Sequence, residues 1–180
     1  SVLDAATGEL IHELPGSKGA EEVIVEGGQV FVLESPEEWE LNSFLPFHNT
    51  GDQARIRRDF AWNKKKRDVK AYDSVTGKRI WGHNNKVAPL TMTADEHRVF
   101  FHDGEKVVAL NRSSGDVAWS AGKSFLPAEV RFNFGPKLVV HDGVVLYAGG
   151  DRTMKAIDAK TGKQLWEAPH ARGGYQSPED

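Results

Sequence analysis

One signature occurs four times in this chain, and that repetition constrains the fold more than any other feature. From Val69 to Trp81 the sequence reads Val-Lys-Ala-Tyr-Asp-Ser-Val-Thr-Gly-Lys-Arg-Ile-Trp, an Ala-x-Asp-x-x-Thr-Gly-Lys-x-x-Trp pattern. Ala156, Asp158, Thr161, Gly162, Lys163 and Trp166 repeat it in full. Ala109, Asn111, Ser114, Gly115 and Trp119 repeat it with Asn for Asp and Ser for Thr, and Asp4, Thr7 and Gly8 repeat it with His12 in the Trp position. Four copies in 180 residues imply stacked units, each too small to bury its own apolar face.

One copy is a β-hairpin. Val69 to Tyr72 is a strand by its alternation and β-rich composition. Asp73 to Gly77 is a turn, because Asp caps nearby backbone and Gly supplies a positive φ. Lys78 to Trp81 starts the return strand. The Trp stands four residues after each Gly, so three unrelated core tryptophans do not explain it. Burying one hides on the order of 200 Å², several kcal/mol by area. In a stack of sheets it docks one sheet onto its neighbour. The expected blade-docking set is Asp73, Gly77, Trp81, Gly115, Trp119, Asp158, Gly162 and Trp166. Replacing Trp81 or Trp166 by Ala is expected to cost about 3–5 kcal/mol.

These residues resemble the quinoprotein-like β-propellers, the pyrroloquinoline quinone (PQQ) repeat family, in which such a signature holds adjacent blades together. The resemblance covers nearly the whole chain apart from one insertion. It implies an all-β fold, a propeller of four-stranded antiparallel blades. It says little about activity, since the family includes PQQ-dependent dehydrogenases and non-catalytic scaffolds.

The signature glycines Gly8, Gly77, Gly115 and Gly162 lie 69, 38 and 47 residues apart. A four-stranded blade needs about 40, so the first interval holds a blade plus an insertion, placed at 36–68. The chain divides into a half blade (1–15), a blade carrying the insertion (16–83), two further blades (84–122 and 123–170) and the start of an inter-blade loop (171–180). Strands are expected at Val23–Val25, Val30–Leu33, Leu90–Thr93, Val99–His102, Val107–Leu110, Val117–Trp119, Leu138–Val140, Val144–Ala148, Met154–Ile157 and Gln164–Trp166. Gly27-Gly28, Asp103-Gly104 and Asp142-Gly143 signal tight hairpins. About three and a half blades do not close a seven- or eight-bladed ring, and repeat arrays need capped ends. The expectation is a fragment of a larger propeller whose remaining blades lie outside this chain.

In a four-strand meander the signature turns share one face. The long segments fall on the other: the insertion 36–68 and the inter-blade loops 82–89, 120–137 and 167–180. Long loops on a rigid scaffold are where function concentrates. The insertion is acidic and aromatic at first (Trp39, Phe44, Phe47), with a short helix expected over 53–62, and basic afterwards (Arg55, Arg57, Arg58, Lys64 to Arg67). It reads as a docking element for an acidic partner or a polyanion, or plainly as a solvated loop. Phe60 and Trp62 beside the basic run suit single-stranded nucleic acid superficially, but the net charge of −3 argues against nucleic acid. Arg131, Asn133, His170, Arg172 and Tyr175 are the candidates for lining a central pocket, the Arg and Asn for a quinone's carboxylates and carbonyls, the Tyr for stacking. Ordinary polar loop chemistry is the competing reading.

No Cys is present, which removes disulfides, thiolate metal sites and the adjacent-cysteine pair implied by many PQQ alcohol dehydrogenases. The seven His show no metal-ligand spacing. The Ca²⁺-binding Glu and Asn and the Asp base of catalytic relatives match no position here. No nucleophile elbow, phosphate loop, signal peptide or membrane-spanning run is found. The expectation is a non-catalytic scaffold or binding module, extracytoplasmic by its resemblance, with no catalytic or metal residues and no cofactor. Protein partners are expected at the long-loop face, with no direct membrane insertion. The alternative is part of a PQQ-dependent alcohol or sugar oxidoreductase using PQQ and calcium, its catalytic residues outside the chain.

Overall fold

The computed structural model describes residues 1–35, 65–88, 90–121, 137–148 and 153–169. These residues form fourteen strands in four antiparallel sheets. β1 (Val2–Leu3) and β2 (Leu10–His12) form the first hairpin. The second sheet is β3 (Ala20–Glu26), β4 (Gln29–Glu34), β5 (Lys66–Asp73) and β6 (Arg79–Lys86), paired in that order. The third is β7 (Thr93–Ala94), β8 (Arg98–His102), β9 (Val107–Asn111) and β10 (Val117–Ala121), and the fourth is β11 (Lys137–His141), β12 (Val144–Ala148), β13 (Thr153–Asp158) and β14 (Gln164–Pro169). Each four-stranded sheet is a simple meander. Their first strands approach one another, β3 to β7 and β7 to β11, so the sheets radiate from a shared line with the last strands outermost.

Sheets stacked face to face bury both faces of their middle strands. That is why β4 and β9 read as apolar runs, Val-Phe-Val-Leu and Val-Val-Ala-Leu, rather than as alternating segments. Along β4, Val30 and Val32 pack with Tyr72 and Leu14 towards the first hairpin. Phe31 and Leu33 pack the other way, with Val99, Phe101 and Leu110 of the third sheet. Phe100 and Ala109 of the third sheet then meet Val145, Tyr147 and Ile157 of the fourth.

Several expected boundaries shift. β5 begins at Lys66, so the last three residues assigned to the insertion 36–68 belong to the sheet. Arg67 is buried and its Nε donates to Glu21 Oε2 at 2.5 Å, and Asp68 pairs with Glu34. β6 continues to Lys86, taking most of the expected loop 82–89 and the boundary at 83, because polar Asn84 and Asn85 still pair with β5. Asn84 also donates to the Asp68 carboxylate at 2.6 Å. The strand expected over 90–93 shrinks to Thr93–Ala94. Leu90 has a φ of 55°, incompatible with extended backbone. Asp142-Gly143 and Gly27-Gly28 are two-residue hairpins with positive φ at both positions. Asp103-Gly104 instead opens a four-residue connection: Asp103 Oδ1 accepts from the amides of Glu105 and Lys106. Removing 36–64 and joining Ser35 to Lys65 by a short turn is expected to keep far-UV circular dichroism and to leave stability within about 1 kcal/mol.

Candidate functional site

The signature turns close as their residues dictate. Asp73 Oδ1 accepts from the Val75 and Thr76 amides and the Thr76 hydroxyl at 3.1, 2.7 and 2.8 Å. Asp158 and Asp4 hold Thr161 and Thr7 in the same way. These donors hold all three carboxyls below the usual Asp range. All four copies also close through backbone, the signature Gly amide donating to the Asp or Asn carbonyl at 2.8–2.9 Å, and the third copy, with Asn111, keeps this bond without the carboxylate cap.

In every copy the return strand carries one extra residue immediately before the aromatic. Ile80, Ala118, Leu165 and Ile11 fall between register pairs, a bulge that re-aims the following side chain. The signature alanines Ala71, Ala109 and Ala156 lie directly across from Trp81, Trp119 and Trp166. Each of the first two tryptophans reaches the next sheet's turn. Trp81 Nε1 donates to the Arg112 carbonyl at 2.7 Å, and a Cβ on Gly115 would lie 2.6 Å from its indole. Trp119 Nε1 donates to the Ala159 carbonyl at 3.0 Å above Gly162. Gly115 and Gly162 are thus required twice, by a positive φ and by the ring that covers them. His12 covers Gly77 in the same manner, but its Nε2 is buried without a partner among the described residues. His12→Trp is expected to place an indole N–H against the Ser74 carbonyl and to raise stability by about 1 kcal/mol in urea unfolding.

The two faces of the array are distinct. The Ser74, Arg112 and Ala159 amides donate to carbonyls of the first turn in their own sheets, Gly28, His97 and Gly143. First and third turns therefore share one tight face. Arg112 staples two sheets there: its Nε donates to Gln29 Oε1 at 2.9 Å, and its other nitrogens reach the carbonyls of Glu26 and Glu96 at 3.1 and 3.0 Å.

The opposite face holds a polar frame that motif reading did not find. The Ala88 amide donates to the His102 carbonyl at 2.7 Å, Thr91 Oγ1 to the Ala88 carbonyl at 2.7 Å, and the His102 amide to Thr91 Oγ1 at 3.1 Å. His102 Nδ1 accepts from the Gly104 amide, and its ring stacks on Tyr147 of the fourth sheet with centroids 4.7 Å apart. Glu22, on innermost β3, accepts from the Met92 amide at 3.1 Å. Burial pushes its pKa up to about 7. The frame holds Leu90 outward, 75% exposed and in the left-handed region. Leu90 thus joins a sparsely populated backbone conformation to a side chain in water. The frame's one sequence signal is Glu21-Glu22 directly ahead of the apolar run Val23 to Val25. Among the described residues no three His, Asp or Glu group as a metal site. Arg131, Asn133, His170, Arg172 and Tyr175 lie outside the described residues, as do Trp39, Phe44, Phe47, the candidate helix over 53–62 and the basic run up to Lys64.

Four-stranded meanders radiating from their first strands, linked outermost by aromatic-on-glycine contacts, define a β-propeller array of repeats. The chain belongs to the PQQ-repeat family described as outer membrane protein assembly factor BamB, which matches residues 65–177. No curated protein matches it. Among solved structures, BamB from Moraxella catarrhalis is similar at 24% identity over 57% of this chain and 31% of that one, with a TM-score of 0.48. The computationally designed Ika8 protein is similar at 14% identity over 95% of this chain and 43% of that one, TM-score 0.60. Quinohemoprotein alcohol dehydrogenase ADHIIG from Pseudomonas putida HK5 is similar at 14% identity over 93% and 31%, TM-score 0.55. The chain thus spans less than half the length of each of these three structures.

Proposed function

We propose that the chain is a non-catalytic propeller array acting as a scaffold or binding module, with protein partners at its long-loop face and an extracytoplasmic location. The match of residues 65–177 to the assembly-factor family carries this reading. The signature carboxylates support it: Asp4, Asp73 and Asp158 are each committed to a turn on the tight face, leaving none of the three for chemistry. The polar frame around Thr91 and His102 suits display of an apolar contact at Leu90, the kind of anchor a protein interface uses.

Two measurements test the proposal. Titrating the folded chain, and any longer protein that carries it, with PQQ and Ca²⁺ should give no binding by absorbance and no dye reduction. Tight binding with dye reduction across an alcohol and sugar panel would replace it by the oxidoreductase alternative. Leu90→Asp should leave stability nearly unchanged, because the side chain is already in water. The same substitution should abolish partner capture; undiminished capture would remove Leu90 from the contact surface.

A further inference from the structure

One carboxyl sits inside the junction between the second and third sheets. Directly paired residues lie on one face of a sheet, and Glu22 on β3 stands in a row with Leu33, Val69 and His83. Leu33 and Val69 belong to the core that these two sheets share. The carboxyl crosses the junction. Its Oε1 accepts from the Met92 amide at 3.1 Å, and the Leu90 amide reaches the same group. Its Oε2 is buried and meets no donor among the described residues. A buried carboxylate oxygen without a donor is costly, whereas the protonated group has no charge to desolvate.

The charged groups around it are engaged elsewhere. The connection it reaches, Leu90-Thr91-Met92, carries no ionisable side chain, nor does β7. On β3, the Glu21 carboxylate disfavours a second negative charge and is itself bound by Arg67 of β5. On β4, Glu34 is paired with Lys70. On β8, Arg98 and His102 alternate with the strand onto the face of Phe100, which packs towards the fourth sheet. His83 is three strands outward, with Asp116 acting on it. Burial therefore outweighs the two amides, and the carboxyl is pushed up to about 7.

The segment that this carboxyl grips is strained. A φ of 55° at Leu90 persists only where the surroundings hold it, and Glu22 holds the amides on both sides of Thr91. We infer that Glu22 is a proton-operated latch across the second-to-third junction. Protonated, it keeps the 90–92 connection clamped to β3. Ionised, it leaves the core for water, releases both amides and lets Leu90 relax out of the left-handed region. This part of the long-loop face then changes shape with pH. The latch stands whether or not Leu90 contacts a partner.

Native-state amide exchange on the full chain, followed by NMR with intrinsic exchange rates divided out, tests this. Protection of the Leu90 and Met92 amides should fall at least roughly tenfold from pH 5 to pH 8, because the released carboxyl gives up its proton at a lower pH than the clamped one. Low urea should not speed that opening, since a local release exposes little surface. The Ala88 amide, bonded to the His102 carbonyl instead, should stay the more protected at pH 8 and open only with urea. Glu22→Gln keeps a neutral acceptor and should protect Leu90 and Met92 equally at both pH values. Glu22→Ala removes the acceptor and should leave both weakly protected throughout. Any of four results overturns the latch: wild-type protection that does not change with pH, the same loss in Glu22→Gln, full protection in Glu22→Ala, or a loss that Ala88 shares with the same urea dependence.

Discussion

Trp81→Ala is expected to lower stability by about 3–5 kcal/mol, read as a lower urea midpoint at unchanged slope. The indole is only 7% exposed and lies 6.0 Å from the Phe31 ring. Its loss opens a void at the centre of the second-to-third junction and leaves the Arg112 carbonyl without its donor. Neither sheet can close the gap, because Arg112 fixes their separation at the turn face. A cost under about 1 kcal/mol would show that the tryptophan does not hold the junction. The contrast with Trp166 sharpens the test. The sequence treats the two alike, but at 46% exposure Trp166→Ala should cost the isolated chain under about 1 kcal/mol, since little area is buried to lose.

Stability should fall as pH rises from about 4.5 to about 7, by up to about 3 kcal/mol from Glu22 alone. Burial raises this carboxyl from 4.5 to about 7, with the neighbouring Glu21 charge acting in the same direction. Below 4.5 both folded and unfolded chains hold the proton. Between the two values the unfolded chain releases it and the folded chain retains it, so each step up in pH favours unfolding. Above 7 both have lost it and the contribution is flat. Other groups titrate too. The turn aspartates have lowered values, and their stabilisation is lost only as pH falls below the usual Asp range. His83, lowered chiefly by burial against a partly opposing Asp116, stabilises in the opposite direction as pH rises through its range towards 6.5. The decisive quantity is therefore the difference between the wild-type chain and Glu22→Gln, measured by urea unfolding at pH 5 and pH 8. The variant should lack the drop and be the more stable of the two at pH 8. Parallel pH profiles would show that Glu22 does not titrate in this window.

The hairpins, the turns and the propeller class are legible because they rest on local chemistry. Asp caps its own turn, Gly takes the left-handed region, and β-branched and aromatic runs flank both. Spacing between copies then sets the number of sheets. Boundaries are less legible. Asn84 and Asn85 look like loop residues, yet they extend β6 because β5 supplies a partner, and Arg67 looks like part of a charged run until Glu21 is placed beside it. The Glu22, Thr91 and His102 frame left no motif, since its bonds join residues up to seventy positions apart and run largely through backbone amides.

The sequence by itself determined that this protein is built of repeated hairpins, with an aromatic and a glycine at a constant offset. Only the tertiary structure decided which aromatic meets which glycine. Trp81 lies four residues from Gly77 but covers Gly115, and His12 covers Gly77. The offset describes a hairpin, whereas the contact depends on a bulge that turns the side chain out of its own sheet and on the stacking of the next sheet against it. By the same rule identical signature residues acquire different environments: Trp81 is buried, while Trp166, at the last described sheet, stands half in water.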